Sequence, residues 1–323
     1  MRAKIYPSQV VGFAEQNSAL VALVIVCLLG ALFVSNFASG MNLSAILFQY
    51  AIIGFLGLGQ LLVILTGGID LSQGAQVAMI SIITAVLMRQ AGVLPAVLGS
   101  LLVGTVFGLT NGLLVSRTRM PAFVVTLGTM GVARGLAQVI SDSKPIAIEV
   151  GSFVDFGRST LAGIPVSAIL WVVVSLGLWF FLAQRRTGRH IYAVGGSEES
   201  ARLSGIAVKN VKLLVFGLSG LLSAVGGIIW TARLSSGSPL GGNGYEMESI
   251  AAVIVGGGYM LGGIGTVSGT VVGVLLFGVI NSILNLVGIS PYWQGTIKGI
   301  LILAAVALSQ FRRIDHGSQA RRS

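Results

Sequence analysis

The residues able to do chemistry are few, and each stands inside or at the edge of an apolar run. Asp70, in Leu65-Thr-Gly-Gly-Ile-Asp-Leu-Ser-Gln-Gly74, lies between two such runs. An acid so placed is either a proton or sodium site or part of a helix start, with Asp70 or Ser72 as cap and Gly67 and Gly68 permitting the turn. Capping is the simpler reading, because the acid has no obvious intramembrane partner. Arg134 sits within another run, where charge is costly unless it snorkels to the interface or meets a partner. Thr126 and Thr129, in the same run, can hydrogen-bond within a bundle or face a polar cavity. Glu246 and Glu248 suit a helix N-terminus as cap and boundary charges at the outer edge of a span. Asn281, Asn285, Tyr292, Trp293 and Gln294 cluster toward the outer ends of the last two runs, where aromatic residues anchor at the interface and amides can contact a polyol.

Hydrolytic and nucleotide-binding signatures are missing. The chain has no Gly-Lys-Ser or Gly-Lys-Thr loop, no His-Glu-x-x-His and no serine elbow. Its single cysteine, Cys27, rules out an internal disulfide, and His190 and His316 are far apart. No metal, cofactor or catalytic residue is expected in this chain, so an energy source must be an ion gradient or a separate protein.

The elements that would position these residues are membrane helices. Of the 323 residues 54% are hydrophobic and 9% charged, against roughly a quarter charged in soluble domains. The net charge of +10 is gathered in short clusters between apolar runs, which fits positive-inside topology rather than a nucleic-acid partner. Spans are expected at 19–34, 43–65, 72–88, 94–115, 121–140, 164–182, 211–231, 249–262, 266–286 and 295–310. The fold class is therefore an all-α polytopic bundle of about ten crossings, some short or broken, with both termini cytoplasmic. The first span is read as an uncleaved helix. The expected organisation is a cytoplasmic segment 1–18, a single membrane domain 19–310 and a basic tail 311–323.

With that orientation Arg117, Arg119, Arg185, Arg186, Arg189, Arg202, Lys209, Lys212, Arg312 and Arg313 fall inside. The segment from Ser141 to Gly163, with Asp142, Glu149 and Asp155 against Lys144 and Arg158, falls outside. The weakest span, 249–262, contains Gly256, Gly257 and Gly258 and reads as either a full crossing or a broken, re-entrant segment. Gly104, Gly108 and Gly112, and likewise Gly265, Gly269 and Gly273, make small-residue strips for close helix packing. No full-length repeat is visible.

The polar segment from Arg185 to Lys212 carries the strongest local signal. Ser197 is an N-cap, Glu198 and Glu199 lie in the first turn, and Gly205 closes the C-terminal end. The result is a short cytoplasmic helix of about two turns, too short to persist alone in water. Ala201 and Leu203 give it apolar contacts for a partner.

These segments resemble the permease subunit of ribose-type bacterial ATP-binding-cassette importers, a group related to the branched-chain amino acid permeases. The matching motifs are Thr66-Gly-Gly-Ile-Asp-Leu-Ser72, Met120-Pro-Ala-Phe-Val-Val-Thr-Leu-Gly-Thr-Met130 with Arg134-Gly135, the run Thr187 to Ile206, the run Glu248 to Gly257, and Ser290-Pro-Tyr-Trp-Gln294. Gln73, and Tyr259 with Met260, depart from the usual family pattern.

The resemblance implies an inner-membrane homodimer, a cytoplasmic ATPase that holds ATP and Mg, a periplasmic sugar-binding protein and a monosaccharide moved by alternating access. It makes Ser197, Glu198, Glu199, Ala201, Arg202, Leu203 and Gly205 the ATPase-coupling residues. Asp70, Ser72, Thr126, Thr129, Asn281 and Asn285 remain candidates for the pathway or gate. Competing expectations are a nucleoside or branched-chain amino acid permease, and an ion-coupled carrier using Asp70 and Arg134.

Overall fold

A computed structural model describes residues 18–118, 120–290, 292–300 and 303. The helices are α1 (Ser18–Phe33), α2 (Gly40–Leu65), α3 (Gln73–Ala91), α4 (Val93–Arg117), α5 (Ala122–Ser141), α6 (Gly151–Arg158), α7 (Val166–Gln184), α8 (Arg186–Gly196), α9 (Glu198–Leu203), α10 (Val208–Leu234), α11 (Tyr245–Val255) and α12 (Val267–Leu286). Residues 292–300 are also helical. Among the described residues seven helices are long and apolar enough to cross a membrane, namely α2 to α5, α7, α10 and α12. Most expected spans match a helix to within a few residues. The span 295–310 is described only in part, and the N-terminal segment to residue 17 and the tail 311–323 lie outside the described residues.

α2 is apolar on every face, so it can be buried on every face. From Tyr50 to Leu65 it forms the centre of the bundle, enclosed by α7, α8, α10, α11 and α12. α4 buries a strip of small residues and α7 a face centred on Trp171, and both turn leucine and valine outward, for example Leu94, Leu98 and Leu102, and Val172, Val173 and Leu176. Such a surface belongs in lipid, where the polar backbone is satisfied within each helix.

α4 and α10 meet backbone to backbone. A Cβ at Gly108 would collide with the Phe216 carbonyl, and one at Gly104 with Ala224 and the Gly220 carbonyl. The expected role of the 104, 108 and 112 strip is therefore the observed one. Gly108→Leu should lower the thermal midpoint in detergent, since overpacking costs about 1–3 kcal/mol or more. Gly177→Leu, on α7 with open space around it, should leave the midpoint unchanged. Equal midpoints for the two variants would contradict this packing.

The long helices are interrupted by two re-entrant segments. After α2 the chain turns at Gly67, whose φ of +77° favours glycine, and runs back along α2 until Gln73 faces the Leu56 carbonyl. After α10, residues 235–244 turn back along α3, with Gly237 against Ser81 and Gly242 against Gly74 and Val77. Ile52 and Leu56 touch Gly226 while Gly59 touches Ser219, so α2 and α10 are antiparallel.

The N-termini of α3 and α11 thus start side by side deep in the bundle. α3 ends beside Ala147, and the glycine loop after α11 reaches Leu65 at the opposite end. The unit α2, loop and α3 recurs upside down as α10, loop and α11. This inverted arrangement was invisible in the sequence.

The expected span 249–262 is replaced by α11, whose 11 residues reach only about 16 Å at 1.5 Å per residue. Its end at Gly256 packs against Gly269, and Gly273 packs against Ala252, each so closely that a Cβ would strike backbone. At the far end of the bundle the segment read as an outer loop carries real structure. β1 (Ile146–Ala147) pairs antiparallel with β4 (Ser236–Gly237), and β2 (Thr160–Leu161) pairs with β3 (Ile164–Pro165).

Candidate functional site

The first re-entrant segment carries Asp70 into the bundle, where it is fully buried. Its Oδ1 accepts from the Ser72 amide at 3.0 Å and from Ser72 Oγ at 2.5 Å. Its Oδ2 accepts from Ser219 Oγ of α10 at 2.8 Å. The Gln60 amide, oriented to satisfy its surroundings, donates to Asp70 O at 3.1 Å and accepts from Asp70 N at 3.3 Å. Among the described residues no cation pairs with Asp70.

The capping expectation holds for Asp70 and not for Ser72. Ser72 occupies the N-cap position of α3 but makes no side-chain cap bond there. Asp70 accepts the Ser72 amide at the start of α3 and also ties Ser72 to α10, so it both caps one helix and joins two.

Gln73, taken as a mere departure from a motif, is central. Its Nε2 donates to Leu56 O and to Ser219 Oγ, each at 3.0 Å, and its Oε1 accepts from Ser249 Oγ of α11 at 2.9 Å. Asn111 of α4 and Gln76 of α3 both donate to Ser72 Oγ, at 3.0 and 2.8 Å. Thr126 Oγ1 donates to Ile69 O at 3.0 Å and brings α5 into the group. One connected polar cluster therefore joins α2, α3, α4, α5, α10 and α11. Thr129 stays outside it, donating only to Thr126 O at 3.3 Å.

Arg134 does not snorkel. Its Nη1 donates to the carbonyls of Pro239 and Gly241, each at 3.0 Å, and so holds the second re-entrant segment. Glu246 and Glu248 stand in the first turn of α11 as expected, but partly buried within the bundle rather than at its boundary. Glu246 lies over Gly74 at the start of α3, where the helix field favours an anion. Glu248 Oε1 pairs with Lys298 Nζ at 2.5 Å, with side chains 12% and 21% exposed. Asn281 and Asn285 are elsewhere, toward the other end of α12, where Asn285 Oδ1 accepts from Gln294 Nε2 at 2.8 Å.

At the end of the bundle carrying Leu65, α9 forms as its residues dictate. Ser197 Oγ accepts from the Ser200 amide at 3.2 Å, and Gly205 takes φ +81° beyond its last turn. Glu198 pairs with Lys212 of α10 at 2.6 Å, and Glu199 with Arg202 at 2.6 Å. That bond to Glu199 raises the Arg202 pKa further. Ala201 is buried on the protein side and Leu203 is 76% exposed.

The preceding stretch, left unassigned in the sequence, is the helix α8. Its Gly195 lies so close to Leu65 and Gly263 that a Cβ would overlap the Leu65 carbonyl. The Gly263 amide donates to Leu65 O at 3.0 Å, and Tyr192 Oη donates to Gly265 O at 2.9 Å. Burial raises the Tyr192 pKa, which keeps the phenol protonated as that donor. α8 is thus in contact with the end of α2 and with the loop that follows α11.

The chain matches the family described as branched-chain amino acid transport system / permease component over residues 42–306. The chain belongs to that permease family. The permease is 41% identical to the ribose import permease protein RbsC of Bacillus subtilis (strain 168) over 304 residues, covering 93% of this chain and 94% of that protein. It is also 41% identical to the D-allose transport system permease protein AlsC of Escherichia coli (strain K12) over 290 residues, 89% of each. To the L-arabinose transport system permease protein AraH of the same strain it is 36% identical over 309 residues, 93% of this chain and 92% of that one. No solved structure matches the permease. Among its described residues no group of three His, Cys, Asp or Glu is placed to hold a metal.

Proposed function

We propose that this chain is the membrane-spanning subunit of an ATP-driven monosaccharide importer of the bacterial inner membrane. It works as a homodimer with a cytoplasmic ATPase that binds ATP and Mg, and it receives sugar from a periplasmic binding protein. Relatives named for ribose, D-allose and L-arabinose support a pentose or hexose as cargo. The observation that carries the reading is α9, a capped helix with an exposed apolar tip, joined through α8 to both broken elements of the bundle.

The end bearing α8 and α9 is cytoplasmic. Arg117, Arg185, Arg186, Arg189, Arg202, Lys209 and Lys212 gather there, while the opposite end mixes Asp142, Glu149 and Asp155 with Arg89, Lys144 and Arg158. The chain then crosses about ten times, counting each extended re-entrant segment together with its helix as one crossing, and both termini are cytoplasmic. In this reading ATPase closure moves α9, α8 pushes on Leu65 and Gly263, and the two re-entrant units shift against each other to alternate access.

Ala201→Pro should break α9 without touching the membrane helices, since proline costs about 3 kcal/mol in a helix interior. Membrane insertion is expected to be normal, while ATPase copurification and ATP-dependent uptake fall at least about tenfold, the equivalent of about 1.4 kcal/mol of lost coupling. Normal uptake with unchanged ATPase association would overturn the coupling role of α9. A binding screen of the partner periplasmic protein against pentoses, hexoses, nucleosides and branched-chain amino acids identifies the cargo.

A further inference from the structure

Away from the polar cluster, α4, α7 and α10 leave a cavity of about 420 Å³ beneath the short helix α6. Val97 and Leu101, Leu170, Ile228 and Ile229 line its walls, and Phe153 covers it from α6. The outer surfaces of α4 and α7 beside it expose Leu94, Leu98, Val172 and Val173, the side chains of a lipid-facing wall. An apolar hollow of this kind loses dispersion contacts unless something apolar fills it.

α6 lies across the end of the bundle, its Gly157 packed on Ala232 and its Asp155 and Arg158 exposed. That is the habit of a helix at the boundary between headgroups and acyl chains. Arg158 has no ion pair among the described residues. Its guanidinium is steadied by a 2.9 Å hydrogen bond to Ser235 Oγ at the end of α10. Ser235 lies six residues beyond Ile229, or about 9 Å along the axis at 1.5 Å per residue. A fixed cation at that height above an apolar slot matches the offset between a lipid phosphate and the first part of its acyl chain.

We infer that this cavity is a binding site for one anionic phospholipid, with an acyl chain between α4, α7 and α10 and the phosphate on Arg158. The occupant clamps α6 and the β1 and β4 pair against the bundle, next to the second re-entrant segment.

The test is native mass spectrometry of the detergent-purified protein after stepwise delipidation, followed by re-addition of phosphatidylglycerol or phosphatidylcholine. One phosphatidylglycerol per chain should survive delipidation and rebind in preference to phosphatidylcholine. Val97→Trp, which fills the slot, should cut occupancy at least about tenfold, and Arg158→Gln should abolish the headgroup preference. In parallel, phosphatidylglycerol with a photoactivatable acyl chain should label peptides containing residues 93–101, 152–156 or 225–229 of the unaltered chain, so that a misfolded variant does not decide the matter. Retention in Val97→Trp with unchanged stoichiometry, or labelling confined to other helices, would overturn the assignment. So would conversion of a dimer to monomers by Val97→Trp with no lipid bound to either form, because the occupant would then be a second copy.

Discussion

Asp70→Ala should abolish transport and destabilise the protein at the same time. The carboxylate accepts hydrogen bonds from the Ser72 amide, Ser72 Oγ and Ser219 Oγ, all inside the bundle. Removing the acceptor leaves buried donors unpaired at about 1–3 kcal/mol each. Even a loss of about 3 kcal/mol shifts a folding equilibrium roughly a hundredfold, and native proteins hold only about 5–15 kcal/mol in reserve. A fall in thermal midpoint in detergent and uptake near background are the expected results.

Asp70→Asn separates this reading from an ion-coupled one. An amide of the same shape offers one acceptor in place of two, so the bond to Ser72 or the bond to Ser219 is lost and stability drops. Ser219→Ala should give a smaller loss in the same direction. Were Asp70 instead a proton site, Asp70→Asn would stop transport while leaving the midpoint where it was. That outcome would refute the role of Asp70 in tying Ser72 to α10.

Gly195→Val is expected to be as severe for transport but by a different route. Even a single added Cβ overlaps the Leu65 carbonyl and presses on the Gly263 amide, both of them backbone and unable to rotate away. The contact between α8 and the end of α2 must open, and with it the Gly263 to Leu65 hydrogen bond of 3.0 Å. α9 itself is untouched, so ATPase association should persist. The predicted signature is ATP hydrolysis without uptake, measured on one reconstituted preparation. Gly196→Val, beside an open space, is the control and should transport normally. Equal transport by the two variants would remove α8 from the coupling path.

What the sequence disclosed and what it hid follow from the range of the forces involved. α9 was legible because its determinants are local: Ser197 caps a bond three residues away, and Gly205 ends the helix just beyond Leu203. The long spans were legible because lipid imposes length and apolarity on each independently. The glycine strip of α4 announced close packing by its own period, though not that α10 is its partner.

The polar cluster lacked any local signature. Asp70 and Ser219 stand 149 residues apart, and Gln73 and Ser249 stand 176 apart. Only the re-entrant path brings them together. Arg134 and Glu248 misled for the same reason, since their partners, the carbonyls of Pro239 and Gly241 and the Lys298 amine, are placed by the second re-entrant segment and the final helix.

In the proposed mechanism, work reaches this chain from a bound ATPase through α9 and α8. The direct measurement is uptake of labelled ribose, D-allose and L-arabinose into vesicles holding the reconstituted permease, its ATPase and its binding protein, with ionophores present to collapse all ion gradients. Uptake of at least one sugar that persists with the ionophores and stops when ATP is replaced by a non-hydrolysable analogue is the predicted result. Uptake that vanishes on adding the ionophores while ATP is still hydrolysed, or that continues without ATP on an imposed gradient, would contradict it.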